Sequence, residues 1–250
     1  MVAIDFKSIF EKKLADRSSD YKICGLISTE GNIYPLGSDT KVLGAVFEVF
    51  TRPMILEIAQ ENNLEVVEAV VQNYYPDFTL MNGTEDSKKI AIDVKTTYIE
   101  NDGDSFSFTL GGYTSFIRGL GTKNIVFPFS EYSEHWIIGY VYKRLARKKA
   151  ADYGVYTTDQ LGEIAPPYED VQVFVQEKWK ISSDRAGSGN TTNIGSITGR
   201  INDFRIGNTP FESEEEFLEY WRNYERTANL RKERFSNISE FRAWKNSQER

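Results

Sequence analysis

The sequence has very little of the residues that build disulfides and zinc sites. Its 250 residues include one cysteine, Cys24, and one histidine, His135. These counts exclude an intramolecular disulfide, a cysteine zinc cluster and multi-histidine motifs such as H-E-x-x-H. A metal site in this chain would use mainly carboxylate oxygens, with Mg²⁺ as the first candidate and Mn²⁺ as the second. We expect Cys24 and His135 to be structural.

Long apolar runs and an excess of basic residues are also missing. The first ten residues contain no apolar signal-peptide region, and the longest apolar or glycine run, 136–142, is too short to cross a bilayer. We therefore expect a cytoplasmic protein without a membrane segment. The 37 acidic residues outnumber the 30 basic ones and give a formal net charge of −7. This balance argues against a protein that coats nucleic acid non-specifically, but it is compatible with a local basic cleft.

The apolar residues that are present, 40% of the chain, predict an α+β fold with helices at both ends and strands between them. Ser38 or Asp39 is suited to cap the second helix, and Pro53 is expected to kink or interrupt it. A capping box at Ser213 and Glu216 opens the last helical region. Predicted helices cover 5–16, about 41–62 and the region from 213; predicted strands cover 23–28, 32–36, 65–71, 77–81, 89–98, 105–110, 123–129, 135–142 and 171–181. Residues 182–200 are rich in Gly, Ser, Thr and Asn, which predicts a loop.

Two short segments carry the residues for chemistry: Pro76-Asp77 and, after fifteen intervening residues, Asp93-Val94-Lys95. In a strand, Asp93 and Lys95 lie on one face, about 6 to 7 Å apart. The turn-forming residues 82–87 predict a hairpin that brings Asp77 near Asp93. Two such carboxylates can bind a hard divalent cation, and the lysine can balance negative charge or orient or deprotonate a water. The cluster is sufficient in kind for phosphodiester hydrolysis.

Two other interpretations of this cluster stay open at this point. Paired carboxylates beside a lysine are usually a solvated charge network on a protein surface. A hydrolase could instead use Asp77 and Asp93 as an acid and base pair, as glycosidases do. The lysine and the basic C-terminus, where residues 220–250 hold eight Lys or Arg and four Glu, fit the glycosidase interpretation poorly.

Several longer segments, which occur in one order along the chain, resemble the EcoRV family of type II restriction endonucleases in the P-D…D/E-x-K nuclease superfamily. They include N-x-Y-P-D-F-T-L, K-K-I-A-I-D-V-K-T-T-Y, F-T-L-G-G-Y-T-S-F-I-R, H-W-I-I-G-Y-V-Y and A-G-S-G-N-T-T-N-I-G-S-I. The resemblance implies an α+β fold with a mixed central sheet flanked by helices. It also implies a homodimer that requires Mg²⁺ and cuts double-stranded DNA at a short palindrome. A companion DNA methyltransferase is expected in the same cell, without being bound to this protein.

The resemblance assigns roles to the candidate catalytic residues. Asp77 and Asp93 match the metal-binding carboxylates, and Lys95 matches the catalytic lysine. Glu48 matches a helix glutamate placed beside the site as an accessory metal ligand. Without the resemblance, Glu48 is simply a polar residue on a helix surface.

The resemblance also implies which residues contact DNA. The segment 187–192 matches the family's recognition loop: its small residues permit close approach to the major groove, Asn190 can pair with adenine, and Thr191 can contact a thymine methyl or a base edge. Composition alone would suggest a flexible loop, and a P-loop is excluded because its lysine is missing. The full set of expected DNA contacts is Gly187, Ser188, Gly189, Asn190, Thr191, Gln72, Asn73, Thr97, Ser115, Lys123, Arg226 and Arg231. At the minor-groove loop the chain departs from the family, because Val71 stands where a second glutamine precedes the asparagine.

We therefore expect a single nuclease domain over 1–250, with a dimerisation part near 20–35, a catalytic core near 36–142 and a recognition loop near 182–200. The unbroken recognition loop suggests GATATC as the target, cut bluntly at its centre to leave 5′-phosphates. The alternative is a catalytically inactive, sequence-specific DNA-binding homodimer of the same fold.

Overall fold

The computed structural model describes residues 4–17, 21–71, 73–119, 124–145, 154–187, 193–225 and 227–248. The helices are α1 (Phe6–Asp16), α2 (Thr40–Glu61), α3 (Tyr113–Ile117), α4 (Ile201–Ile206), α5 (Glu214–Asn223), α6 (Ala228–Glu233) and α7 (Ile238–Gln248). The strands are β1 (Gly25–Ile27), β2 (Ile33–Pro35), β3 (Glu65–Glu68), β4 (Phe78–Met81), β5 (Lys89–Ile99), β6 (Tyr132–Arg144), β7 (Tyr168–Glu177), β8 (Ser182–Ala186) and β9 (Ile194–Ser196). Short 3₁₀ turns cover Phe129–Glu131, Thr158–Glu163 and Trp179–Ile181.

Five strands form a mixed central sheet in the order β3-β4-β5-β6-β7. The pairs β3-β4, β4-β5 and β6-β7 are antiparallel, whereas β5 and β6 run parallel. Two antiparallel ribbons, β1-β2 and β8-β9, stand outside this sheet. The expected α+β fold with a mixed sheet flanked by helices is therefore confirmed.

The alternating sequence of β5 divides the protein into two hydrophobic cores. Ile90, Ile92 and Val94 pack into a core that contains the apolar residues of α1 and α2. Ala91, on the opposite face of the strand, packs into the core that contains the C-terminal helices. Because Asp93 follows Ala91 at the strand period of two, it lies on this second face.

Helix α2 covers the first face of the sheet and begins at its predicted N-cap. The Asp39 carboxylate accepts hydrogen bonds from the backbone N–H groups of Lys41 and Val42. The Phe47 ring stacks on Tyr140 of β6 with 4.7 Å between ring centroids. The helix continues through Pro53 to Glu61, which agrees with the predicted range of about 41–62, and Pro53 does not interrupt it.

The second face is covered mainly by aromatic residues of the C-terminal helices. Phe217, Tyr220 and Trp221 of α5 are fully buried, and Tyr220 contacts Phe235 and Phe241. The Ser213 hydroxyl accepts a hydrogen bond from the Glu216 N–H, as a helix N-cap does. No described helix is long and apolar enough to cross a membrane.

Three predicted elements differ from the structure. Residues 105–110 and the described part of the predicted strand 123–129, residues 124–129, form isolated backbone bridges in place of regular strands. The segment 182–200, which its composition predicts to be a loop, contains β8 and β9. The strand β9 pairs with β8 and also with the distant 106–111 backbone: the Leu110 N–H donates to the Ile194 carbonyl at 2.8 Å, and the Ser196 N–H donates to the Phe108 carbonyl at 2.9 Å.

Candidate active site

The β4-β5 hairpin brings the two predicted carboxylates together. Phe78 pairs with Ile92, so Asp77 lies at the point where β4 meets the middle of β5. The Asp77 Oδ2 atom accepts a hydrogen bond of 2.6 Å from the backbone N–H of Val94. This bond fixes the Asp77 carboxyl beside Asp93, as the sequence pattern predicts.

Two lysine side chains contact the same oxygen of Asp93. The Nζ atom of Lys95 lies 2.8 Å from Asp93 Oδ2, and the Nζ atom of Lys178 lies 3.5 Å from it. Lys95 is 24% exposed, whereas the side chains of Asp93 and Lys178 are 7% and 1% exposed. Lys95 therefore reaches towards solvent, and Lys178 approaches the carboxylate from the interior.

The two lysines and the burial of the site give Asp77 and Asp93 different pKa values. Burial and the neighbouring Asp93 raise the pKa of Asp77 to about 7. Burial acts in the same direction on Asp93, but Lys95 and Lys178 outweigh it and hold the pKa of Asp93 below its usual value. The metal-free site thus favours an ionised Asp93 beside an Asp77 that exchanges a proton near neutral pH.

The two lysines contact the same carboxylate oxygen, but their pKa values shift in opposite directions. Burial lowers the pKa of Lys95, but the Asp93 and Asp77 carboxylates outweigh burial, so the pKa lies above its usual value. For Lys178 burial dominates, and the pKa falls to about 8 although Asp93 opposes the shift. Lys95 is therefore an ammonium throughout the physiological pH range.

Lys178 is the residue at this site that the sequence pattern does not reveal. It follows the last residue of β7, and its backbone N–H donates to the His135 carbonyl at 2.7 Å. The sheet brings Lys178 to Asp93 through strand β6: Asp93 of β5 pairs with Ile137 of β6, and Ile137 pairs with Gln176 of β7. Lys178 follows Gln176 by two residues and is therefore close to the level of Asp93. No local motif connects residues so far apart in the chain.

Glu48 lies on α2, which passes close to β5. A Cβ atom at Gly44 would lie 3.4 Å from Thr96 Oγ1, an ordinary van der Waals contact, which shows that α2 passes directly beside β5. Glu48 follows one turn later and is exposed. Desolvation raises the pKa of Glu48, Lys95 lowers it and Asp93 raises it, which places this carboxylate within the electrostatic field of the site.

The oxygen donors of the site suit a hard cation whose coordination is completed by the substrate. Among the described residues, no group of three or more His, Cys, Asp or Glu side chains is arranged to hold a metal ion. Asp77 and Asp93 supply adjacent carboxylate oxygens, and Mg²⁺ is commonly bound through one or two carboxylates together with water and substrate phosphates. The residues present therefore fit Mg²⁺ or Mn²⁺ when a phosphate group completes the coordination.

The β8-β9 ribbon supports the predicted recognition loop. Gly187, at the base of the loop, donates its N–H to the Asn193 carbonyl at 2.7 Å. A Cβ atom at Gly187 would lie 3.2 Å from the Ile194 carbonyl oxygen and from Thr109 Cγ2, so a larger residue would be crowded. Ser188, Gly189, Asn190, Thr191 and Thr192 lie outside the described residues.

The structure describes four of the other predicted DNA contacts, Thr97, Asn73, Ser115 and Arg231. Thr97 lies on the same face of β5 as Asp93, and exposed Asn73 follows the turn at Val71. Ser115 donates its hydroxyl to the Gly112 carbonyl at 2.7 Å. Arg231 packs on Tyr224 with 5.4 Å from its guanidinium carbon to the ring centroid. Three predicted contacts, Gln72, Lys123 and Arg226, lie outside the described residues.

His135 is buried in the core behind the site. Its Nδ1 atom is hydrogen-bonded to the Tyr75 hydroxyl at 2.7 Å, and its ring stacks on Phe129. Burial and the nearby Lys178 lower the pKa of His135 to about 3. A neutral, buried imidazole fits the structural role expected for it, and Cys24 is a half-buried free thiol.

Comparison with known proteins identifies the family. The family model of restriction endonuclease EcoRV matches residues 17–246. The chain belongs to the EcoRV family of restriction endonucleases. It is similar to the type II restriction enzyme EcoRV of Escherichia coli, with 56% identity over 231 residues that cover 92% of this chain and 94% of the relative. A solved structure of NlaIV restriction endonuclease aligns with 99% of this chain and 92% of its own, at 15% identity and a TM-score of 0.43.

Proposed function

We propose that this EcoRV-family endonuclease hydrolyses phosphodiester bonds of double-stranded DNA at a short palindrome, with Mg²⁺ as its cofactor and Mn²⁺ as a possible substitute. The observation that carries the proposal is the cluster formed by Asp93 and Lys95, on one face of β5, and Asp77, which precedes β4. In this cluster a lysine ammonium lies 2.8 Å from a carboxylate oxygen, next to a second carboxyl group.

Each residue of the cluster has a distinct role in the proposal. Asp77 and Asp93 hold the cation, with Glu48 as an accessory carboxylate. When bound, Mg²⁺ polarises a phosphoryl oxygen and lowers the pKa of its water. Lys95, whose Nζ atom lies 2.8 Å from Asp93 and whose side chain is partly exposed, is assigned to balancing negative charge on the phosphate or to orienting or deprotonating the attacking water.

The reaction is a direct displacement at phosphorus. A water oxygen forms a bond to phosphorus and loses a proton to solvent, while the bond from phosphorus to O3′ breaks and the O3′ atom takes up a proton from solvent. The products are a 3′-hydroxyl and a 5′-phosphate. Lys95, which is partly exposed, can reach a phosphate bound above the carboxylates.

We propose GATATC as the target, cut bluntly at the centre. The support is the segment 187–192, whose sequence G-S-G-N-T-T matches the family's recognition loop. Asn190 would pair with adenine and Thr191 would contact a thymine methyl or base edge. The central TA step is easily deformed, so bending can add specificity without direct base contacts.

The remaining DNA contacts position the duplex. In this proposal Arg226, Arg231 and Lys123 meet phosphates, Thr97 and Ser115 face the backbone, and Gln72 and Asn73 approach the minor groove. These contacts contribute affinity and orientation but little sequence information.

We also propose that two copies of the chain act together. A palindrome is two-fold symmetric and is matched by a two-fold symmetric protein. The β1-β2 hairpin supports this assembly, because Leu26, Ile27 and Tyr34 are 57%, 67% and 48% exposed. Large exposed apolar side chains on one hairpin are typical of an interaction surface. Such an enzyme would act in the cytoplasm, beside a DNA methyltransferase that protects the host's own sites.

The first test is cleavage of a plasmid that carries one GATATC site, with and without Mg²⁺, followed by sequencing of the ends. We expect Mg²⁺-dependent blunt cuts at that palindrome. Cuts at another sequence would overturn the target and leave the chemistry intact. Specific binding by a folded dimer without cleavage of any sequence would support the inactive DNA-binding alternative.

Replacing Asp93 tests the assignment of the site. We expect Asp93→Asn to lower the cleavage rate by at least about 10³-fold, because the metal loses a carboxylate and Lys95 loses its partner. Circular dichroism should show that the variant remains folded. Wild-type cleavage by Asp93→Asn would contradict the assignment.

A further inference from the structure

Lys178 is a buried cation whose position lies outside the motif of Asp77, Asp93 and Lys95. Its Nζ atom lies 3.5 Å from Asp93 Oδ2 and 4.0 Å from the centroid of the Tyr75 ring. The side chain is 1% exposed. A carboxylate and an aromatic face both attract a positive charge, so they favour an ammonium at this point.

The backbone of Lys178 is fixed on both sides. Its N–H donates to the His135 carbonyl at 2.7 Å, and its own carbonyl accepts a 2.7 Å hydrogen bond from the Ser182 hydroxyl. These bonds connect the end of β7 to the neighbouring strand β6 and to the first residue of β8. The ammonium is therefore held against Asp93 by the fold.

Lys95 approaches Asp93 from the solvent side of the site, and Lys178 approaches it from the protein interior. Lys95 is 24% exposed and can meet a bound phosphate, whereas Lys178 lies beneath the carboxylate and has no comparable access. Lys178 is thus a positioning residue that acts through Asp93, not a group that touches the substrate.

The positive charge of Lys178 opposes the binding of a metal cation at Asp93. A divalent ion coordinated by Asp93 would lie within a few ångströms of the Lys178 ammonium. Repulsion between charges at that distance is strong where water is excluded. We propose that Lys178 is a built-in counterion of Asp93 that raises the concentration of divalent cation at which the active site fills. This inference rests on the proposed metal role of Asp93.

The experiment measures Mn²⁺ binding directly, from the electron paramagnetic resonance signal of the free ion. The full-length protein is mixed with a duplex that carries GATATC, in which a methylene group replaces the O3′ atom at the cleaved bond. Lys178→Met and Lys178→Gln remove the charge while keeping a side chain of similar length. We expect both to bind Mn²⁺ about ten times more tightly than the wild type, and we expect the Mg²⁺ midpoint of single-turnover cleavage to fall in parallel.

Lys89→Met is the matched control. Lys89 is equally buried in the same sheet, at 0% exposure, but its Nζ atom pairs with Glu131 at 2.6 Å. It lies four residues before Asp93, about 13 Å along the strand. Loss of this buried lysine should lower the melting temperature and leave Mn²⁺ binding at the wild-type level.

The outcomes separate this inference from the proposed function. Equal or weaker Mn²⁺ binding by Lys178→Met and Lys178→Gln would overturn the counterion role. If neither variant folds, Lys178 is a residue required for folding and the proposal is also overturned. Mn²⁺ binding that Asp93→Asn leaves unchanged would instead overturn the proposed metal site.

Discussion

At the residue scale, the surroundings of each carboxyl group determine its charge more than its type does. Asp77 and Asp93 share one site, yet the pKa of Asp77 is raised to about 7 while that of Asp93 is lowered. The difference arises because both lysines contact Asp93, while Asp77 meets burial and a neighbouring negative charge. One protein thus holds an acid and a base of the same residue type side by side.

A similar contrast occurs at the start of α5 and predicts opposite effects of pH. Burial and the neighbouring carboxylates raise the pKa of Glu214 to about 7, whereas hydrogen bonds to its own N–H and to Ser213 lower the pKa of Glu215. The folded protein therefore binds more protons at Glu214 than the unfolded chain does between about pH 4.5 and 7. The contribution of Glu214 to the free energy of unfolding therefore decreases as the pH rises through that window. Glu215 makes a stabilising contribution that is lost as the pH falls below about 4.5.

These signs can be checked with two single substitutions. We expect Glu214→Gln to raise the melting temperature relative to the wild type at pH 8, and this gain should shrink towards pH 4.5. Glu215→Gln should lower the melting temperature at pH 8, and its loss should shrink in acid. Scanning calorimetry from pH 4 to 8 tests both, and parallel pH profiles for the two variants would contradict the assignment.

Recognition is also a residue-scale property in the proposed function. We expect Asn190→Ala to cost about 1 to 3 kcal/mol of binding to GATATC, because a bidentate contact to adenine is lost. Affinity for a duplex without the palindrome should stay near its wild-type value, since phosphates supply that affinity. Fluorescence anisotropy with the two duplexes measures the ratio, and an unchanged ratio would remove Asn190 from the proposed contacts.

At the element scale, local sequence signals were accurate where an element is stabilised by its own residues. Helix α2 begins directly after Asp39, one of the two caps that the sequence offered. The hairpin β1-β2 and the strands β4 and β5 likewise lie within the ranges predicted from apolar alternation or extend one residue past them. Residues 105–110 and the strand β9 could not be assigned correctly, because they pair with each other across the chain. The strand β8 pairs with β9, so it also depends on this distant contact.

The choice between the two candidate caps gives a prediction for α2. We expect Asp39→Ala to lower the free energy of unfolding by about 1 kcal/mol, because two backbone N–H groups lose their acceptor. Ser38→Ala is the matched control and should change it by less than about 0.5 kcal/mol. Urea unfolding measures both, and equal losses would show that Asp39 is not the effective cap.

At the scale of the whole molecule, the central sheet separates two cores, and Asp93 and Lys95 lie on the face of β5 that meets the C-terminal core. The face that carries Ile90 and Ile92 is closed by α1 and α2, while the face that carries Ala91 meets the C-terminal helices. Asp93 and Lys95 lie on the same face of β5 as Ala91, while Val94, whose N–H holds the Asp77 carboxyl, packs into the opposite core. Both cores therefore contribute to holding the cluster of Asp77, Asp93 and Lys95.

The proposed homodimer gives a prediction at this scale. We expect Ile27→Asp to shift the protein from dimer to monomer, because a charge would be placed in the centre of the exposed apolar hairpin. Ile206→Asp is the control: Ile206 is 76% exposed at the end of α4, outside the hairpin, and the dimer should persist. Sedimentation velocity separates the two states. A dimeric Ile27→Asp variant would place the interface elsewhere.

The sequence by itself determined the hard-ligand chemistry, the α+β class and the shared face of Asp93 and Lys95, because these follow from residue counts and from the period of a strand. It also indicated that a hairpin joins Asp77 to Asp93. Only the tertiary structure decided that Lys178 contacts Asp93 and that the two carboxyl groups differ in pKa. Burial and contacts between distant strands cause both effects, and neither is encoded in a local pattern of residues.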